Sequence, residues 1–349
     1  MSTIDCHGDL KGYHDKKVTL GTAEQADMRT RRDAGRTRMK NGLAAAEQPA
    51  PSAFHAQGSY AMRTMVQDSQ NDYDIDDGAY FEKDDLRDAN GNDLAPRDAR
   101  QRVASALKDD RLAYDAKVKN NCVRQAYPPG YHIDIPVYRV LRSTDIFGKE
   151  KAEYELASGD EWVKSDAREV TSWYKSKVTS ELDRGQEDTS QLRRITKLTK
   201  KQARSRLSWK AQTTSGIAIT KLVVDHQRLE AGRDDLALRR TWQAIKTQLD
   251  FSQSISHPIA GNRDLANEGD EAVKYFRDRL AEALETLKIL DDPKCTKAQA
   301  REAWNAVFNT TYFSDLPDDG TGGGTKASGP FVISSGKTTK RDDDNGRFG

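Results

Sequence analysis

The sequence predicts an α+β protein, with a strand-rich first part, a helical second lobe and a polar tail. Three observations carry this. Alternation with a period of two runs through residues 72–82 and 131–141, and apolar periodicity of about 3.6 takes over after residue 155. Beyond Pro317, Asp, Gly, Thr and Ser dominate, and such a stretch buries too little apolar surface to order itself. The expected divisions are 1–155 for an N-terminal helix and a core, 156–316 for the helical lobe, and 317–349 for a flexible tail.

Thr22-Ala23-Glu24-Gln25 reads as a capping box opening a charged helix through about Ala46, with Met28, Met39 and Leu43 as its buried stripe. Its arginines (Arg29, Arg31, Arg32, Arg36, Arg38) read as a solvated face. Residues 52–57 form a first strand that turns at Gly58-Ser59 into a short helix. A second strand follows at 72–82, then a loop at Asn90-Gly91-Asn92-Asp93 and a helix from Asp98 to Lys108. Residues 114–126 and 131–141 flank Pro128-Pro129-Gly130 and predict an antiparallel hairpin. Later stripes mark core-facing helices: Val170, Trp173, Tyr174, Val178 and Leu182; Leu236, Trp242, Ile245 and Leu249; Ala272, Phe276, Leu280, Leu284 and Leu287. Thr296 caps a further helix carrying Trp304 and Phe308.

The chemistry concentrates on the strands. Successive strand residues point to opposite faces, so Asp74 and Asp76 project together while Tyr73 and Ile75 turn the other way. Asp134 likewise stands opposite to Ile133, Ile135 and Val137. Three carboxylates from adjacent strands make an oxygen-rich site suited to Mg²⁺, and two such ions support nucleotidyl transfer. Asp72 shares the same face, so alternation alone leaves the choice of pair open.

Net charge is only +1 with 32% charged residues, which gives no strong nucleic-acid signal. Three scattered cysteines (Cys6, Cys122, Cys295) indicate neither a disulfide framework nor a zinc site. No apolar run approaches a membrane span and the first residues lack a signal-peptide pattern, so the expected compartment is the cytoplasm.

Gln57-Gly58-Ser59, Asp74-Ile75-Asp76-Asp77-Gly78 with Tyr80, and His132-Ile133-Asp134-Ile135-Pro136 with Tyr138 resemble the bacterial cGAS/DncV-like nucleotidyltransferases (CD-NTases), within the DNA polymerase β-like superfamily. The resemblance is nearest to the clade of dinucleotide cyclases. It implies a polymerase-β-like core of mixed or antiparallel sheet with flanking helices, and a C-terminal helical lobe. Asp74, Asp76 and Asp134 are then metal ligands for two Mg²⁺ ions (Mn²⁺ as an alternative), and Ser59, with Gln57 and Gly58, contacts the triphosphate. Tyr80 and Tyr138 are packing residues.

Further sites follow from the resemblance in the second lobe. Leu192 to Lys200 is similar to a family helix that sets one lysine over the donor triphosphate, which nominates Lys200, with Lys197 one turn away. The bland reading of the eight basic residues from Arg193 to Lys210 is a solvated face. Ser165, in Trp162-Val163-Lys164-Ser165-Asp166, lies near a bound base in the family, whereas the alternative makes Ser165 or Asp166 a helix N-cap. Ser215 has the same two readings, phosphate contact or cap. Arg124, on the strand before Asp134, is placed to face the acceptor nucleotide, and Asn262 and Asp264 are weaker base-reading candidates. The implied activity is synthesis of a cyclic oligonucleotide, a cyclic dinucleotide of the GMP-AMP kind, from ATP, GTP or other NTPs in antiphage (CBASS) signalling. The alternatives are transfer to a protein, RNA or small molecule, and a catalytically silent regulator. Some family members are conjugated through their C-terminal residue by a ubiquitin-like ligase, which nominates Gly349.

Overall fold

The computed structural model describes residues 4–68, 73–128, 130–179, 190–259, 261 and 263–317. Among these residues eight strands lie in one mixed sheet: β1 Ala53–Gln57, β2 Asp74–Glu82, β3 Lys117–Val118, β4 Val123–Ala126, β5 His132–Ile135, β6 Val137–Thr144, β7 Glu150–Ser158 and β8 Glu161–Lys164. Helices α1 His7–Tyr13, α2 Thr22–Ala45, α3 Gly58–Ala61 and α4 Pro96–Ala106 are interleaved with the early strands. The helical lobe adds α5 Ala167–Thr179, α6 Gln191–Ala203, α7 Leu207–Lys210, α8 Gly216–His226, α9 Asp234–Phe251, α10 Glu271–Thr286 and α11 Lys297–Phe308.

β2 is the axis of the sheet. β1 lies antiparallel along one edge, with Gln57 opposite Asp76 and Ala53 opposite Tyr80. β5 and β6 lie parallel along the other edge in one unbroken register, Asp76 opposite Asp134 and Tyr80 opposite Tyr138. They count as two strands only because Pro136, between them, has no N–H to donate; its carbonyl still accepts from Ala79 N at 2.9 Å. β4 then pairs antiparallel with β5, and β7 with β6. The expected hairpin is present but short, because only Val123–Ala126 pairs with His132–Ile135.

Each face of β2 has its own partners. Ile75, Ala79 and Phe81 join Met28, Met39 and Leu43 of α2, Val103 of α4, and Ile133, Ile135 and Val137 in one apolar cluster. The opposite face carries Asp74, Asp76, Gly78 and Tyr80. A second, larger cluster fills the helical lobe, including Leu198, Leu222, Trp242, Phe276, Leu280, Trp304 and Phe308.

Several expectations change. The sheet continues to Lys164, so a boundary at 155 cuts through β7. The expected N-terminal helix, α2, does pack on the strand-rich core, but a further helix before it, α1, packs with the helical lobe through Leu10 and Tyr13. The N-cap of α2 is Gly21, one residue earlier than expected, and its N–H donates to Glu24 Oε2 at 3.2 Å. Thr296, by contrast, caps α11 as expected, with Gln299 as its reciprocal partner. Leu182, Asn71, Asp72, Asn262 and the tail with Gly349 lie outside the described residues.

Arg29 of α2 is exposed as expected, but Arg31, Arg32, Arg36 and Arg38 are half-buried against the core. Arg36 grips the buried Asp77 with two bonds, Nε–Oδ2 at 2.7 Å and Nη2–Oδ1 at 2.5 Å. Arg31 lies over the rings of Tyr127 and Tyr131, and Arg32 over Tyr60. These contacts clamp α2 onto the sheet face opposite the aspartate row. Replacing Arg36 with methionine strands the Asp77 charge, and breaking a buried pair costs about 3–5 kcal/mol. Urea unfolding of Arg36→Met should show a loss of that order, and Arg36→Met combined with Asp77→Asn should recover part of it.

Candidate active site

Strand register builds the site. Gln57, Asp76, Asp134 and Arg124 stand opposite one another on four adjacent strands, β1, β2, β5 and β4. Two residues back along β2, Asp74 stands opposite His132. All six side chains therefore belong to one face, the one turned from the α2 cluster. Sequence reasoning missed His132, although it has the same alternation parity as Asp134. Its Nε2 lies 3.9 Å from Asp134 Oδ2.

The electrostatics are those of crowded anions. Burial, then the charges of Asp74 and Asp134, push the Asp76 carboxyl well above the usual carboxylate range. Asp134 is only 2% exposed and accepts both arms of Arg124, Nε–Oδ1 at 2.8 Å and Nη2–Oδ2 at 2.7 Å. Burial alone would lower the Arg124 pKa, but the Asp134 pairing outweighs it and raises the value. Among the described residues, no three His, Cys, Asp or Glu side chains close on a common point as a ready cation cage. The donor set nevertheless fits a hard divalent cation: it is all oxygen, it shares one face, and its mutual repulsion would be relieved by positive charge.

Gly58 joins β1 to α3 beside this row. Its φ is +60°, and a Cβ there would lie 2.0 Å from Asp76 Oδ2. Only glycine lets the chain turn so close to the carboxylate. The turn delivers the half-buried Ser59 to the same end of the sheet. The Gln57 side chain is buried and tied to two tyrosines. Its Nε2 donates to the Tyr80 hydroxyl at 2.9 Å, and the Tyr138 hydroxyl donates to its Oε1 at 3.2 Å. Tyr80 and Tyr138 stack 4.5 Å apart, as packing residues should, and burial raises both phenol pKa values so that both hydroxyls stay protonated. Gly78 leaves the space for this network, since a Cβ there would meet Gln57 Nε2 at 2.2 Å.

The helical lobe brings cations to the same end. α6 is buried on nearly every side, contrary to the solvated reading, with Arg193, Lys197 and Lys200 all inside. Lys200 is 4% exposed and donates to Thr64 Oγ1, just after α3, at 2.9 Å. Burial and the neighbouring Arg204 push its amine down to about 7, while Asp74 opposes that shift. Lys197 points elsewhere, to Thr19 Oγ1 at 3.4 Å, with its amine pushed down by burial to about 8.

Ser215 caps α8, accepting from Ala218 N at 3.3 Å. That helix start adjoins the same cations, because a Cβ on Gly216 would sit 3.9 Å from Lys200 Nζ and 3.6 Å from Arg204 Nη2. Capping and proximity to Lys200 and Arg204 thus coincide at Ser215. Asp166 caps the start of α5, accepting from Arg168 N at 3.0 Å and pairing with that guanidinium. Ser165 N donates to the Tyr154 carbonyl at 3.0 Å, and its side chain lies near enough to the Tyr138 hydroxyl to oppose the burial shift there. Asp264 is exposed on the segment paired to Ile255, and no described hydrogen bond or ion pair ties it to the aspartate row. Arg168, also missed, lies 3.8 Å over the Tyr154 ring.

Residues 52–138 match the family model for the nucleotidyltransferase domain of cyclic GMP-AMP synthase DncV-like proteins, a span that contains the whole aspartate row and Gly58-Ser59. Solved structures extend the likeness to the overall fold. Escherichia coli DncV with 3′-deoxy GTP bound superposes with a TM-score of 0.65 at 15% identity, covering 88% of this chain and 97% of that one. The Bradyrhizobium diazoefficiens CD-NTase CdnG in complex with GTP gives 0.64 at 15% identity, covering 89% and 97%. Vibrio cholerae DncV with the linear intermediate 5′ pppA(3′,5′)pG gives 0.63 at 17%, covering 84% and 92%. Residues 52–138 are thus similar to a DncV-like nucleotidyltransferase domain, and the chain as a whole shares the fold of the solved bacterial cGAS/DncV-like nucleotidyltransferases.

Proposed function

We propose that this protein is a divalent-metal-dependent synthase that joins NTPs into a cyclic oligonucleotide, a cyclic dinucleotide containing adenine or guanine. One observation carries the reading: Asp76 stands in register with Asp134 directly beside the Gly58-Ser59 turn. The donor triphosphate then runs from the carboxylates toward Ser59 and Lys200. Asp74, Asp76 and Asp134 would hold Mg²⁺ or Mn²⁺, which when bound supplies Lewis-acid charge to the attacking hydroxyl and the leaving pyrophosphate. The Ser59 hydroxyl donates to the triphosphate. Thr64 holds the Lys200 amine at the mouth of α6, where an arriving triphosphate draws a proton onto it. Ser215 and the start of α8 flank the same phosphates, and Ser165 lies toward the base. Catalysis comes from positioning the acceptor 3′-hydroxyl in line and neutralising charge. A second transfer in the same cleft closes the ring. Antiphage signalling through an effector and a cytoplasmic setting complete the proposal, in keeping with the family likeness. Among the described residues, no helix is long and apolar enough to cross a membrane.

The direct test incubates the protein with all four NTPs and Mg²⁺ or Mn²⁺, treats the mixture with phosphatase, and resolves surviving products by mass spectrometry. A phosphatase-resistant cyclic product is expected from the native protein. Asp74→Asn with Asp76→Asn, or Asp134→Asn alone, should abolish it while leaving circular dichroism unchanged. Labelled protein or RNA in place of a cyclic product would instead mean transfer to another acceptor.

Lys200 gives a prediction with a defined sign. Burial pushes its amine down to about 7 in the folded protein, below the ordinary lysine value of 10.5. Between those values the unfolded chain binds a proton that the folded protein does not, so this residue makes stability rise with pH across that window. Below pH 7 its full destabilisation is present. Lys200→Met should therefore raise the urea midpoint at pH 6.5, flatten the rise toward pH 9, and weaken NTP binding. At pH 8, calorimetry in buffers of different ionisation enthalpy should show proton uptake on NTP binding to the native protein, and none to Lys200→Met.

A further inference from the structure

Asp134 cannot serve a cation freely in the arrangement described, because the Arg124 fork takes a hydrogen-bond position on each of its oxygens. A guanidinium at that distance also repels a divalent ion. The two partners differ in freedom. The Asp134 side chain is 3% exposed and fixed in the middle of the sheet, whereas that of Arg124 is 30% exposed on the adjoining strand. The arginine can swing away; the carboxylate has nowhere to go. Asp74 and Asp76, by contrast, enter no ion pair among the described residues, and the nearby Arg124 charge only partly offsets the crowding at Asp76.

We infer that Arg124 gates the third carboxylate: in the ligand-free enzyme it stands in for a cation on Asp134, and it leaves when an acceptor phosphate draws it off. This rests on the proposed nucleotidyl-transfer reading and assigns a further task to one of its residues. Arg124 is then a positioning residue for metal loading before it is a contact for the acceptor. The consequence is ordered assembly. A donor triphosphate alone meets an incomplete site, and the full carboxylate set forms only when the acceptor is present. Such coupling limits wasteful attack by water on a lone donor.

The test titrates Mn²⁺ into the nucleotide-free, full-length protein and follows the free-ion signal by electron paramagnetic resonance. Arg124→Met should bind Mn²⁺ at least about tenfold more tightly than the native protein, the equivalent of one charged hydrogen bond. Arg124→Lys, which keeps the charge but loses the fork, should fall between and guards against a folding defect in the methionine variant. The gain should vanish when Asp134→Asn is added. Equal or weaker binding by both Arg124 variants overturns the gate, as does a gain that survives Asp134→Asn. The NTP assay separates this from the parent reading. Cyclic product from the native protein with no Mn²⁺ gain in the variants removes the gate alone. A gain with no NTP product removes the nucleotidyl-transfer reading and leaves an arginine-guarded cation site.

Discussion

Parallel pairing of β2 with the strand that Pro136 interrupts is the constraint on which the rest of the structure depends. Because the register passes through the proline unchanged, Asp76 faces Asp134 at one end and Tyr80 faces Tyr138 at the other. A slip of one residue would turn Asp134 into the apolar cluster and Ile133 or Ile135 into the cleft. The buried isoleucines and valine of β5 and β6 therefore enforce the position of the charged group. The tyrosine pair extends the effect to β1, since Gln57 is bonded to both hydroxyls and its next residue is the glycine that turns beside Asp76. The carboxylates and the Gly58-Ser59 turn are thus set by one strand alignment.

The same site is paid for in local stability. Asp76 is crowded by like charges, and Lys200 is buried beside a threonine with its amine held partly neutral. Neither arrangement favours the empty folded protein. Both are what a ligand carrying cations and phosphates would relieve. Stability is supplied elsewhere, in the large helical cluster and in the clamp of α2 on the sheet through Arg36 and Asp77.

Much of this was legible in the sequence. Alternation placed Asp74, Asp76 and Asp134 on their faces, and helical stripes such as Leu236, Trp242, Ile245 and Leu249 reported the lobe. Charge was the poor guide. The basic run of α6 and the arginines of α2 read as solvated, yet Lys200 and Arg193 are buried and Arg36 reaches a buried aspartate. A charged side chain's periodicity says which face it leaves, not whether another element covers that face. The extension of the sheet to Lys164 was hidden for a related reason: β7 and β8 are mostly half-buried or exposed, so their alternation carries little hydrophobic contrast. His132 was within reach of parity, but a lone histidine gives no reason to look.

The central claim is that strand register places three carboxylates around one cation-binding cleft. Anomalous diffraction from crystals grown with Mn²⁺ and a non-hydrolysable NTP tests it most directly. Mn²⁺ peaks within bonding distance of Asp74, Asp76 and Asp134, with the triphosphate running toward Ser59 and Lys200, are the expected result. Nucleotide bound elsewhere, or Mn²⁺ that leaves Asp134 still paired to Arg124 in the presence of both donor and acceptor, would contradict it.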